Sequence, residues 1–264
     1  VKTNGELIKM ARANLNQDNW DYLTGGSETE TTLLRNRQSI DSIAFKPRVM
    51  RNVVEISTLS KLLNMKMRIP IFLAPIGSLQ RLTDRGAIAT SLAAHEFGIP
   101  AFISSATDPS ISEIRNTTDG DLVYQLYVQD DINWILKFVD HAVKLGCKGL
   151  CLTADTAIYG RRERDKIKKF EPRRARTKAD SDGFVYQAAL DWSVVDKISK
   201  HSDIPLIIKG IATAEDAALA LEHNVKVIYI SNHGGRQLDH GRGTIDIIPE
   251  VVDEVKGKAK IIVD

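Results

Sequence analysis

From about residue 71 the chain alternates short, almost wholly apolar runs with longer segments of helical period. The apolar runs are Ile71–Ala74, Ala101–Ser104, Leu122–Val128, Gly149–Thr153, Leu206–Lys209, Val225–Ser231 and Lys260–Val263. Between them the pattern predicts helices over Arg85–Phe97, Ser110–Asn116, Asn133–Leu145, Asp191–Lys200, Ala214–His223 and Ile245–Val255. Strands with so little alternation read as buried on both faces, hence parallel. Parallel strands alternating with helices build one sheet through right-handed crossovers. Seven such strands fit a barrel lacking its last unit better than an open sheet. The predicted fold is therefore α/β: a (β/α)8 TIM barrel with an N-terminal helical cap, the C-terminal strand 8 unit being absent from this chain. It is read as one domain over 1–264, with the helices and cap in 1–70 and barrel strands 1–7 in 71–264.

The first seventy residues lack that alternation. Glu6–Ala13 and Asn19–Leu23 read as short helices, with Gly25 and Gly26 as a stop. Phe45–Val49 and Lys66–Ile69 are expected to form small strands, a cap under the barrel.

Composition narrows the class without naming a function. Apolar residues make up 43% and charged residues 27% of 264, the balance of a globular chain, which excludes wholesale disorder. A net charge of +2 argues for no nucleic-acid partner. No window approaches the ~18 consecutive apolar residues of a membrane span, and the N-terminus carries no secretory signal pattern. Cys147 and Cys151 lie in an apolar run and read as reduced core thiols of a cytoplasmic protein. The chain starts without Met and stops at Asp264, so both ends read as cut. Residues 161–178 hold ten Arg or Lys against three Asp or Glu. This block reads as a solvated loop, with an anionic surface or a lid over an anionic substrate as the alternatives.

Candidate chemistry gathers where the strands end, the face on which barrel enzymes carry their active sites. The densest block is Ser231-Asn232-His233-Gly234-Gly235-Arg236-Gln237. There a histidine suited to act as a base near neutral pH is followed by two glycines and an arginine whose planar fork fits a carboxylate. Thr153 and Asp155 share a face of their strand. Asp155 is placed to orient an imidazole, and Arg162 offers a second clamp. Gln125 and Tyr127 share a face of the preceding run, offering a carboxamide for a heterocycle and a phenol for a substrate oxygen. Lys209 ends the apolar run Leu206-Ile207-Ile208, and a buried cation there calls for a phosphate, a carboxylate or a reduced cofactor, with Schiff-base chemistry competing. No phosphate-binding glycine motif and no His/Cys cluster of metal spacing is present, so no metal is expected.

Taken in order, Tyr22-Leu-Thr-Gly-Gly-Ser, Tyr-Gln-Leu-Tyr127, Leu-Thr153-Ala-Asp155-Thr with Gly160-Arg-Arg-Glu, Ile-Lys209-Gly-Ile and Ser-Asn-His233-Gly-Gly-Arg236-Gln resemble the FMN-dependent L-2-hydroxy acid oxidase/dehydrogenase family. That family includes glycolate oxidase, lactate oxidase, lactate monooxygenase, mandelate dehydrogenase and the flavin domain of flavocytochrome b2. The resemblance implies oxidation of a small L-2-hydroxy acid of the lactate, glycolate or mandelate class to the 2-oxo acid, with FMN as cofactor and oxygen, a quinone or a cytochrome as reoxidant. It also implies a homo-oligomer, a tetramer. By residue, it makes His233 the base, Asp155 its partner and Tyr127 a neighbour of the hydroxyl. Tyr22, Arg162 and Arg236 would hold the carboxylate. Ala74, Pro75, Ile76, Gly77, Ser104, Gln125, Thr153, Lys209 and Asp264 would contact FMN. Three departures stand out. Position 77 is Gly where many relatives have Ala, Ala106 stands where several carry a bulky side chain over the substrate, and the phosphate-binding segments after strands seven and eight lie beyond Asp264. The alternative reading is an incomplete barrel unable to hold FMN. A phosphate-binding barrel of another kind fits worse, because its substrates need no carboxylate clamp.

Overall fold

The computed structural model describes residues 1–167 and 185–264, so most of the basic block lies outside the described residues. Three helices open the chain: α1 (Asn4–Asn14), α2 (Gln17–Thr24) and α3 (Thr31–Asp41). Thr3 and Asn16 accept backbone N–H bonds as caps of the first two, and Gly25 closes α2 by donating to the Asp21 carbonyl at 2.8 Å. Helix α3 has no apolar stripe, only Thr32 and Ser39 are buried, and the sequence reading passed over it.

An antiparallel hairpin follows, β1 (Ser60–Leu62) with β2 (Met65–Met67). This is the small strand expected at Lys66–Ile69, shifted slightly. Its Leu62, Met65 and Met67 are buried against the inner face of the main sheet. The strand expected at Phe45–Val49 does not form. Pro47 removes a ladder donor from its centre, and Phe45 is fully exposed.

The main sheet is parallel, and every strand pairs with its neighbours in sequence. It runs β3 (Ala101–Ser104), β4 (Leu122–Leu126), β5 (Leu150–Thr153), β6 (Leu206–Ile211), β7 (Val227–Ile230) and β8 (Lys260–Val263). The first predicted strand, Ile71–Ala74, is reduced to a bridge from Leu73 to Ala101. Pro70 and Pro75 flank it and supply no N–H, so the ladder narrows to the bonds around Leu73. The intervening helices are α4 (Ala87–Phe97), α5 (Ile111–Arg115), α6 (Ile132–Lys144), α7 (Glu163–Ile167), α8 (Trp192–His201), α9 (Ala214–Glu222) and α10 (Thr244–Val255).

Alternation along the strands divides two cores. Ile103, Leu122, Leu126, Leu150, Leu152, Ile208, Ile228 and Ile230 pack outward against the helices. Phe102, Val123, Cys151, Ile207, Val227 and Tyr229 point inward, closed at one end by the β1–β2 hairpin. Each inward strand face begins apolar and ends polar, and the register aligns Ser104 with Gln125 and Thr153 with Lys209. The fold thereby gathers polar groups from distant segments at the C-terminal ends of its strands.

Candidate active site

Lys209 occupies the centre of this polar layer with 3% exposure. Its Nζ donates to Ser231 Oγ at 2.5 Å and lies 3.8 Å from Asp155 Oδ2, 3.7 Å from Asp264 Oδ2 and 5.3 Å from the centre of the Tyr229 ring. The Tyr229 hydroxyl in turn donates to Asp264 Oδ2 at 2.9 Å. A buried ammonium is thus offset by two carboxylates, a hydroxyl and an aromatic face.

Immediately after Lys209 the strand bulges at Gly210, whose φ is +111°. A Cβ there would stand 2.6 Å from the Asp155 Cβ, so the missing side chain makes room for that carboxylate. Asp155 Oδ1 lies 2.8 Å from His233 Nδ1 and also accepts from Thr156 Oγ1 at 3.0 Å. Burial alone would push the Asp155 carboxyl up, but Lys209 and His233 overcome it and hold the group below the ordinary carboxylate range. For His233, burial, assisted by Lys209, outweighs Asp155 and holds the imidazole below its ordinary value. The pair therefore stands at neutral pH as carboxylate and neutral imidazole. An ionised carboxylate only accepts, so Nδ1 carries the proton and the lone pair sits on Nε2. Nε2 lies 3.1 Å from the Tyr127 hydroxyl.

The two arginines converge from different segments. Arg236 donates from Nη1 to the Gly25 carbonyl at 2.6 Å, and its guanidinium carbon lies 5.1 Å from the centre of the Tyr22 ring. Arg162, 6% exposed, stacks over Tyr159 at 4.6 Å and Tyr22 at 5.8 Å. Asp165 Oδ2, at 3.7 Å, pairs with it too loosely for a hydrogen bond, and Arg162 Nε and Nη1 have no hydrogen-bond partner. Burial pushes the Asp165 carboxyl up, which weakens it as a counter-charge. Burial, with Arg162 nearby, also pushes Arg236 down. Two guanidiniums in so dry a place destabilise one another, and an anion would relieve both.

A cavity of about 680 Å³ opens over these groups. Tyr22, Ala74, Pro75, Ile76, Gly77, Ala106, Tyr127, Arg162, Lys209, His233, Arg236 and Asp264 line it. The structure thus brings the sequence-selected residues to one place, with a difference of depth. Ser104, Gln125 and Thr153 are buried and do not line the cavity. Gln125 Nε2 donates to Thr153 Oγ1 at 2.9 Å, while its Oε1 is buried without a partner. The Tyr22 hydroxyl reaches the Gly77 carbonyl at 3.4 Å.

Other site residues escaped the sequence reading. Gln187, buried at the cavity wall, accepts from the Val128 N–H at 2.7 Å and donates to the Thr153 carbonyl at 2.8 Å, tying two strand ends together. A lone glutamine within Val185-Tyr186-Gln187-Ala188-Ala189 carried no motif to mark it. Among the described residues no three His, Cys, Asp or Glu side chains gather as a metal site requires.

The comparisons with known proteins agree with one another. The chain matches the family described as FMN-dependent dehydrogenase over residues 11–264. It is 31% identical to an L-lactate oxidase of Nostoc sp., over 98% of this chain and 78% of that protein. It is 33% identical to a glycolate oxidase of Spinacia oleracea, over 98% of this chain and 75% of that protein. The crystal structure of a mandelate oxidase superposes with a TM-score of 0.91 at 29% identity, covering 98% of this chain and 77% of that one. A mandelate oxidase mutant with a C4a-OH-FMN adduct superposes at 0.88 and 30% identity, with coverage of 98% and 77%.

Proposed function

Because the chain belongs to the FMN-dependent dehydrogenase family, we propose that it oxidises a small L-2-hydroxy acid to the corresponding 2-oxo acid. The observation that carries this reading is an imidazole, braced by Asp155, facing the same cavity as Arg236 and as Arg162, whose Nε and Nη1 have no acceptor. A hydroxy acid answers both features, since its carboxylate supplies the missing anion and its hydroxyl supplies the proton for the base.

The residues present fit FMN. Gln125 Oε1 is an orphaned buried acceptor matched to a heterocyclic N–H, Lys209 is a cation suited to the negative charge of a reduced ring, and the Ala74–Gly77 segment offers backbone along the cavity. Ser104, Thr153 and Asp264 complete the set that would hold it. When bound, FMN supplies the two-electron acceptor that no side chain here provides.

The chain's own residues do the rest. Arg162 and Arg236, with Tyr22, bind the carboxylate and fix the α-carbon. His233 Nε2 receives the hydroxyl proton, with the Tyr127 phenol beside the same oxygen. Asp155 keeps the ring in the Nδ1–H tautomer and stabilises the imidazolium once formed. The α-hydrogen and the two electrons of its bond would pass to FMN when bound, which balances the oxidation of hydroxy acid to 2-oxo acid.

Substrates of the lactate, glycolate or mandelate class, reoxidation by oxygen, a quinone or a cytochrome, a cytoplasmic location and a homotetramer belong to the same proposal. Among the described residues no helix is long and apolar enough to cross a membrane. The test is anaerobic mixing of FMN-loaded protein with L-lactate, glycolate and L-mandelate while the flavin bands are followed. Bleaching by at least one acid is expected, and His233→Gln should slow it by roughly 10²–10⁴-fold while FMN stays bound. An unchanged rate in that variant would remove His233 from the mechanism, and no bleaching by any hydroxy acid would overturn the reading.

A further inference from the structure

His233 stands on an improbable piece of backbone. His233, Gly234 and Gly235 have φ of +60°, +64° and +69°, three successive residues in the left-handed region. For the glycines this is easy, but for the histidine it costs about 1–2 kcal/mol. Such a turn keeps its shape only if its surroundings hold it. Ser231 Oγ accepts the His233 N–H at 3.0 Å, and Asn232 Oδ1 accepts the Gly235 N–H at 3.0 Å. The Asn232 side chain thus acts as a clasp on the turn, beside the bond from the Gly235 N–H to the Asn232 carbonyl at 3.0 Å.

That clasp is itself gripped from helix α3. Asn36 Nδ2 donates to Asn232 Oδ1 at 2.9 Å, and Asn232 Nδ2 donates to Asn36 Oδ1 at 2.6 Å. The second proton of Asn232 Nδ2 goes to the Arg242 carbonyl at 3.0 Å. All four hydrogen-bonding positions of the Asn232 amide are therefore used, and Asn36 fills two. Without Asn36 the amide has reason to rotate, and rotation leaves the Gly235 N–H with only the Asn232 backbone carbonyl, at 3.0 Å. Asn36 also accepts the Thr244 N–H at 3.3 Å, and it lines no part of the cavity. Packing enforces the same docking, because a Cβ on Gly235 would lie 2.6 Å from the Leu33 N.

We propose that Asn36 is a positioning residue for His233, acting through Asn232 to fix the left-handed turn that aims the imidazole at Asp155 and the cavity. The kinetic consequence rests on the reading of His233 as the base, but the position of the ring does not. The test keeps the two apart. The six histidines of the full chain are labelled with nitrogen-15, and His233 is assigned by its loss in His233→Gln. Its ring is faced by Asp155, Lys209, Asp264 and the Tyr127 hydroxyl, all retained in the variants below.

In the parent, His233 should show a fixed Nδ1–H tautomer. Asn36→Leu removes both amide bonds, and Asn36→Asp removes the donated one while keeping the size. Both should replace the fixed tautomer with an averaged one and move the His233 titration up toward the ordinary value of roughly 6.5. In FMN-loaded protein both should slow flavin reduction by roughly ten- to a hundredfold. Ser39→Ala, which breaks a 2.6 Å bond from the same helix to Asp246, should leave the His233 signals and the rate unchanged. Parent-like tautomer and titration in both Asn36 variants would overturn the proposal, whatever the kinetics show. So would loss of the fold in both, which would make the pair a determinant of folding. An equal response to Ser39→Ala would also overturn it, since any loosening of α3 would then suffice.

Discussion

Gly210→Ala tests how tightly the site is built. The added Cβ would lie 2.6 Å from the Asp155 Cβ and 2.9 Å from both its Cγ and its backbone N. Carbon atoms in contact sit at roughly 3.5–4.0 Å, so relief requires Asp155 to retreat by about 1 Å. Asp155 Oδ1 is now 2.8 Å from His233 Nδ1, and a retreat of that size puts the pair outside hydrogen-bond range. The backbone adds its own resistance. A φ of +111° is open to glycine and strained for alanine, by about 1–3 kcal/mol. The variant should therefore fold with a lowered melting temperature and carry an imidazole without its brace. Misplacing a catalytic group by 1 Å costs roughly 10²-fold, and disabling an orienting aspartate in a serine protease costs roughly 10⁴-fold. Flavin reduction by the preferred hydroxy acid should fall within that interval under anaerobic stopped flow. Gly146→Ala serves as the control for backbone strain, because its φ is +66° but its added Cβ would meet nothing within 4 Å and it lies away from the cavity. A parent-like rate in Gly210→Ala would show that the Asp155–His233 bond does not limit the chemistry.

Arg236→Lys should weaken binding of the acid and slow turnover, because an ammonium cannot hold both the Gly25 carbonyl and a carboxylate in one plane. The loss should shrink with the amide analogue of the substrate, and equal losses for acid and amide would refute the carboxylate assignment. Gly77 and Ala106 face one another across the cavity wall with no side chain beyond Cβ. A preference for hydroxy acids with side chains larger than methyl should follow, and strict selection of glycolate over mandelate in a substrate panel would count against it.

What the sequence made legible follows from how strongly a local pattern constrains structure. The β6 run Leu206-Ile207-Ile208-Lys209 can be buried on both faces only in a parallel sheet between helices, and a lysine there has to answer to an anion. Such positions announce both fold and chemistry. Ile71–Ala74 carried the same apolar signal but sits between two prolines, and the missing donors left a bridge instead of a strand. Helix α3 had no signal of the kind sought. Its docking is polar, through Thr32, Asn36 and Ser39 to Asn232, Asp239 and Asp246 about two hundred residues away. A hydrophobic period reports burial of apolar surface, and it is silent about hydrogen bonds that close only once the chain has folded. Gln187 escaped for the same reason.

Asp239 makes this long-range dependence measurable. Helix α3 begins at a left-handed Glu30 that makes no side-chain cap. The cap comes instead from Asp239, which accepts the Thr32 N–H at 2.8 Å, the Thr29 N–H at 3.0 Å and the Thr29 hydroxyl at 2.6 Å. Burial would push the Asp239 carboxyl up, but these donors outweigh it and hold the group well below the ordinary range. A carboxyl depressed in the folded state stabilises above its unfolded value of roughly 3.9, and the contribution is lost as the pH falls through the folded value. Asp239→Asn keeps the shape but removes the charge and one accepting oxygen, so it should cost about 1.5–3 kcal/mol at pH 7, the worth of hydrogen bonds to a charged group. Protonation brings the parent toward the variant, so the gap should narrow as the pH drops below about 4. The other carboxylates titrate alike in both proteins and cancel in the difference. Urea unfolding of parent and variant at neutral and acid pH reads the gap directly. A gap that stays constant with pH would mean that its cause is not the Asp239 charge. No gap at all would mean that α3 docks without the Asp239 charge, held by its other bonds to the loop that carries His233, among them Asn36 to Asn232 and Arg35 to the His240 and Gly241 carbonyls.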